Sequence, residues 1–168
     1  MRYRRSIRQL PFILLAYVAL GLQRGLEPFL THRFGGGGWA QVDLPYVAAA
    51  GIAAMVPRES AGVAAFLVGL AHDVTAGGPI GPRAVGYGLA GLIIARSQPR
   101  SPAVFAGLAS AGAIVAALVV WLLIALGGGR QTIVGGSTTG LFTAAVAALM
   151  AWPTWKLRTR LSAADRRL

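Results

Sequence analysis

The sequence predicts an all-α fold: a polytopic membrane helix bundle of about six transmembrane helices, forming one domain over residues 1–168. Three observations predict it. The chain is 55% apolar with only five acids in 168 residues, which leaves too little polar surface to cover a soluble globule. Its apolar runs, bounded by charges and Gly/Pro punctuation, approach the roughly 20 residues that a hydrocarbon core demands. Most of its basic residues fall on one side of those runs, as cytoplasmic loops require.

The first span covers about 9–30. Its basic head and 13-residue apolar run, Leu10–Leu22, have the form of a secretory signal, but QRGLEPF follows without a small-x-small cleavage site, so the segment reads as an uncleaved span. GGGG at 35–38 is a flexible external loop. Span two covers 40–57, beginning at Leu44, or at Trp39 if Gln41 and Asp43 lie at the interface. Span three covers 60–76 and span four 80–95. Spans two to four are short and interrupted at their ends by Gly or Pro, so tilted, broken or re-entrant segments fit as well. Four or five full spans plus one re-entrant hairpin stays open beside six. Spans five, 102–127, and six, 133–155, are the clearest. The tail 156–168 is basic, with Leu157, Leu161 and Leu168 between the charges. It reads as an interfacial amphipathic helix on anionic lipid, with docking to a cytoplasmic partner as the rival. No repeat at a period of 20–50 residues is present.

With both termini in the cytoplasm, twelve of the sixteen bases are inside: Arg2, Arg4, Arg5, Arg8, Arg58, Arg96, Arg100, Lys156, Arg158, Arg160, Arg166 and Arg167. Arg24, Arg33, Arg83 and Arg130 are outside. Subtracting Glu59 and Asp165 leaves +10 inside; subtracting Glu27, Asp43 and Asp73 leaves +1 outside. The overall +11 therefore sets orientation and forms no single patch for nucleic acid. The absence of cysteine excludes disulfides, thiolate metal sites and a cysteine nucleophile.

The most informative stretch is GLAHDVTAGGPIGPRA, 69–84. On a helix, Gly69, Asp73 and Gly77 share a face, so the acid is flanked a turn above and below by residues without side chains. Such a seam lets another backbone approach closely. Ala84, Gly88, Gly91 and Ala95 form a second small stripe, which predicts tight packing of spans three and four; Gly62 extends the first. A carboxylate facing lipid costs a few kcal/mol, so Asp73 points inward or toward water. It either pairs locally, with Arg83 across the turn and with N–H groups near Gly77 and Gly78, or serves a partner or ligand site. Gly78, Pro79, Gly81 and Pro82 make a shaped connector, and His72 reads as a polar boundary residue.

The pattern GLAHDVTAGGPIGPRAVGYGLAG, 69–91, resembles the central signature of the rod shape-determining protein MreD family: a G-L-x-x-D element, a Gly-rich turn, P-x-G and a small-residue helix. QVDLPYVAAAG, 41–51, is similar to that family's entry into its second span. Pro82-Arg83 departs from the polar or aromatic residue usual after P-x-G. The resemblance implies a noncatalytic inner-membrane scaffold of the bacterial cell-elongation machinery. It would bind the bitopic protein MreC and, through it, connect with MreB and the peptidoglycan synthases. It also implies a six-helix fold like the substrate-binding subunits of energy-coupling-factor transporters. Gly69, Asp73, Gly77, Gly78, Pro79, Gly81 and Arg83 are the candidate partner-binding residues.

Other features carry less. Gln23, Arg24 and Glu27 read as a self-satisfied helix end or a partner contact. Glu59 caps span three. GGSTTG, 135–140, lacks the G-x-S-x-G spacing of a hydrolase and suits helix packing. Trp121, Trp152 and Trp155, together with Trp39, suit an aromatic belt. No metal set, cofactor motif or catalytic group emerges, and Asp43 at a span entrance is a poor second acid for aspartyl chemistry. A solute-binding transporter subunit is the alternative, with Gln23, Arg24, Glu27, His72, Asp73, Arg83 and Tyr87 as its few polar groups.

Overall fold

A computed structural model describes residues 10–33, 42–77, 79–127 and 133–165. The described residues form six helices and no strand: α1 Leu10–Arg33, α2 Leu44–Met55, α3 Arg58–Ala76, α4 Pro82–Ser97, α5 Pro102–Leu126 and α6 Ile133–Asp165. The fold is all-α, as the sequence predicts. One helix, Pro102–Leu126, is long and apolar enough by length and composition to cross a membrane; Ile13–Gly25 and Leu44–Met55 are shorter apolar helices.

The most extensive pairings are α3 with α4 and α5 with α6. The α2 helix, only 12 residues long, touches all five others. Its burial follows from its sequence, since LPYVAAAGIAAM is apolar on every face and suits an enclosed position. Small residues dominate the core: Ala49, Ala65, Ala90, Ala109, Ala113, Ala147 and Ala151 are buried, while Val63, Leu67, Leu118, Leu122 and Leu149 face outward. Large side chains outside and alanine inside let the backbones lie close together.

The predicted small-residue seam is real, and α4 fills it. A Cβ on Gly69 would lie 2.5 Å from the Arg83 carbonyl oxygen and 2.7 Å from Ala84 Cα. On the facing helix, a Cβ on Gly91 would lie 2.6 Å from Ala65 Cβ, and one on Gly88 3.3 Å from Phe66 Cβ. Gly77 contributes conformation instead of contact: it ends α3 at φ 68°, and a Cβ there would meet nothing within 4 Å. It supplies the left-handed C-terminal residue that stops a helix.

The α2 helix begins at Leu44, the first of the two expected starts, because Asp43 caps it and Pro45 occupies its first turn. Two other features differ from expectation. Glu59 sits in the first turn of α3, but the capping position belongs to Pro57, which offers no side-chain acceptor. The tail does not start a separate amphipathic helix: α6 continues through Pro153 to Asp165. Just beyond that proline, Thr154 Oγ1 donates to the Met150 carbonyl at 2.7 Å, one residue past the Leu149 carbonyl that the missing proline N–H leaves free of its helical bond.

Candidate functional site

Asp73 is 1% exposed and lies opposite the start of α4. Its Oδ2 accepts from the backbone N–H groups of Gly81 at 2.9 Å, Arg83 at 3.1 Å and Ala84 at 3.2 Å. Arg83 Nη1 lies 3.4 Å from Oδ1. The N-cap residue of α4 is Gly81, which has no side chain to cap with, so α3 supplies the missing carboxylate. An acid at a helix N-terminus satisfies orphan donors and complements the macrodipole. The expected local pairing with Arg83 is present. The amides that bond it among the described residues are those of Gly81, Arg83 and Ala84. Gly78 lies outside the described residues.

Of the candidate partner-binding residues, Gly69 and Asp73 are both occupied by α4 of the same chain. What the motif leaves at the surface is its tip, with Pro79 exposed, Ile80 69% exposed and Val74 61% exposed beside it.

The opposite end of α4 mirrors this arrangement. Arg58, the first residue of α3, donates from Nε to the Ala95 carbonyl and from Nη2 to that of Arg96, each at 3.3 Å. Those carbonyls belong to the last turn of α4, where a cation is favourable. One helix therefore caps both ends of its neighbour.

A second polar cluster joins five helices. Asp43 Oδ1 accepts from Tyr46 N at 3.2 Å, and the Asp43 N–H donates to Thr143 Oγ1 at 2.9 Å. Leu44 N donates to Gln23 Oε1 at 3.1 Å. Tyr87 donates its hydroxyl hydrogen to Asp43 Oδ2. His72 Nδ1 lies 2.8 Å from the Tyr87 hydroxyl oxygen and 3.5 Å from Asp43 Oδ1. A tyrosine has one hydroxyl hydrogen. With that hydrogen on Asp43, Nδ1 of His72 carries the proton of the second bond. Tyr46 completes the packing: its ring meets Tyr87 edge-on at 5.4 Å and its hydroxyl donates to the Ala109 carbonyl at 2.9 Å.

Sequence reasoning placed His72 at a boundary and set Asp43 aside; both are members of this network. The signals for Asp43 were the Asp-x-Pro start of a helix and two tyrosines in apolar spans, each needing a partner for its hydroxyl. Gln23 reaches α2, while the Glu27 side chain lies outside the described residues. Of the tryptophans, Trp152 is exposed, Trp155 packs against the core, and Trp121 Nε1 is buried with no hydrogen-bond partner among the described residues. Trp39 lies outside the described residues. Among the described residues no group of His, Asp and Glu is arranged to hold a metal ion. No protein-family model, curated protein or solved structure matches the chain.

Proposed function

We propose that this chain is a noncatalytic scaffold of the bacterial inner membrane, of the MreD type, and that it positions cell-wall synthesis during elongation by holding an MreC-like bitopic partner. Both termini lie in the cytoplasm in this reading. The observation that carries it is the α3–α4 hairpin, in which the signature residues have connected tasks. Gly69 admits the α4 backbone, Asp73 caps α4, Gly77 turns the chain, and Pro79-Ile80 projects from the tip. A motif fully used in building a rigid hairpin leaves partner recognition to that tip and to the apolar residue Val74 beside it.

The inverted distribution of side chains supports a lipid surrounding, since soluble monomers rarely expose large contiguous apolar surfaces. The short α2 helix, about 18 Å long, is less than a ~30 Å hydrocarbon core. Its N-terminal amides are met by Asp43 and Gln23 inside the protein, the condition under which an incomplete span is tolerated. The fold of the energy-coupling-factor substrate-binding subunits is the architectural analogue implied by the sequence resemblance.

The test is capture from native membranes under mild detergent. An MreC-like protein should accompany the wild-type chain and be lost on Ile80→Asp, with the variant still folded. Its consistent absence from the wild-type sample would sink the scaffold. Because the chain has no cysteine, single cysteines at Ser6, Ile80 and Ser162 report orientation directly: the first and last should be labelled only from the cytoplasm. A solute-binding subunit is the second reading, favoured by the convergence of Gln23, Asp43, His72, Tyr87 and Thr143 from separate elements. Retention of a small molecule through purification, lost in His72→Phe, would select it.

A further inference from the structure

We propose that the arginine-rich end carries a binding site for an anionic phospholipid, with Lys156 and Arg160 holding the headgroup phosphate and Leu149 and Trp152 lying against an acyl chain. This rests on the membrane reading above. Four positions on α6 carry it. Leu149, Trp152, Lys156 and Arg160 follow one another at spacings of three, four and four residues, which gathers them within about 80° of the helix circumference. All four are exposed, Leu149 at 74% and Trp152 at 65%. Because α6 continues through Pro153, the apolar and basic halves belong to one uninterrupted face about 16 Å long. That succession follows the chemistry of a phospholipid from its tail to its phosphate.

The charge around this face is one-sided. Arg58, Arg96, Arg100, Lys156, Arg158 and Arg160 converge on the end where α4 stops, α5 starts and α6 leaves the core, and Glu59 is the acid among the described side chains there. Two of the bases are structural. Arg58 bonds the Ala95 and Arg96 carbonyls, and Arg158 reaches the Pro99 carbonyl at 3.4 Å while its guanidinium stacks over Trp155 at 5.1 Å. Arg158 lies on the opposite side of α6 from Lys156 and Arg160, so its contact with the α4–α5 corner fixes the helix with the lipid face outward. Lys156 and Arg160 have no ion pair among the described residues. A soluble anion would make no use of Leu149 and Trp152, whereas an anionic lipid uses both halves.

The experiment measures lipid retention by the full-length protein in neutral detergent, using native mass spectrometry with equimolar phosphatidylglycerol and phosphatidylcholine. Wild type should retain phosphatidylglycerol preferentially. Lys156→Gln should reduce that preference about fivefold, and adding Arg160→Gln about thirtyfold in total, with unchanged thermal unfolding. Trp152→Ala should lower retention of both lipids alike. Equal retention of the two lipids by wild type, an unaltered preference in the double variant, or displacement of the lipid by millimolar inorganic phosphate would overturn the inference. A chain that stays monomeric in water without detergent would remove the membrane reading as well; a membrane-embedded chain without lipid preference would remove this inference alone.

Discussion

Replacing Asp73 separates two explanations of why an acid stands in so apolar a chain. If its main task is to cap α4, the energy resides in the three amides of Gly81, Arg83 and Ala84. If its task is the ion pair, the energy resides in Arg83. Asp73→Ala orphans all three amides and removes the carboxylate from Arg83. Each buried unsatisfied donor costs about 1–3 kcal/mol before relaxation, so about 4 kcal/mol is expected with partial relaxation. Asp73→Asn keeps one acceptor oxygen and should cost about 2 kcal/mol. Arg83→Gln should cost under about 1 kcal/mol, because its contact is long, at 3.4 Å, and the arginine side chain is 24% exposed. Equilibrium unfolding in mixed micelles measures all three. The cap explanation fails if Arg83→Gln destabilises as much as Asp73→Ala. Under the cap explanation, Asp73→Asn also lowers the yield of folded protein without selective loss of a captured partner.

Gly69→Ala should cost about 1–3 kcal/mol in the same assay, because its methyl meets α4 backbone that must move, whereas Gly107→Ala, with open space around it, should be neutral or stabilising by up to about 1 kcal/mol. Gly77→Ala should cost about 1–2 kcal/mol through its left-handed conformation alone, and Gly77→Asn less. Tyr87→Phe removes the hydroxyl shared by Asp43 and His72 and should cost about 1–3 kcal/mol; combined with Asp43→Asn the loss should be clearly smaller than the sum, which a double-mutant cycle reads directly.

The order and extent of the helices were legible because apolar runs end at charges and at Gly/Pro. Helices α1, α3, α4 and α5 fall within two or three residues of the predicted spans. The α3–α4 seam was legible too, since glycine at helical spacing has one packing consequence: close approach of a neighbour. The matching stripe Ala84, Gly88, Gly91 and Ala95 named the next helix as that neighbour, and the close approach of the two bears it out. What the sequence left open was the task of Asp73, which alone suits a local pairing or a partner site. The Asp43–His72–Tyr87 network was hidden for a related reason. Its members are 44 residues apart at the extremes, and each alone suits a helix end or an interface; their chemistry appears only when α2 is placed at the centre of the bundle. The continuity of α6 past Trp155 was missed because the change there from apolar to basic residues imitates a boundary.

The two caps of α4 have a common geometric origin. Arg58 and Asp73 are fifteen positions apart on α3, about 22 Å along its axis, and the 16 residues of α4 occupy about 24 Å. The antiparallel pairing therefore brings a cation to the carbonyl end of α4 and an anion to its amide end, each matched in sign to the helix dipole. In water, either end would find solvent partners. In a hydrocarbon surrounding, those groups need partners within the protein, and a helix of this length cannot place both ends at the two headgroup layers of a ~30 Å core. In that surrounding, the spacing of one arginine and one aspartate on α3 resolves what the short length of α4 creates. The same match explains why Gly69, Gly88 and Gly91 must be small: the caps reach their targets only if the two helix axes lie close together.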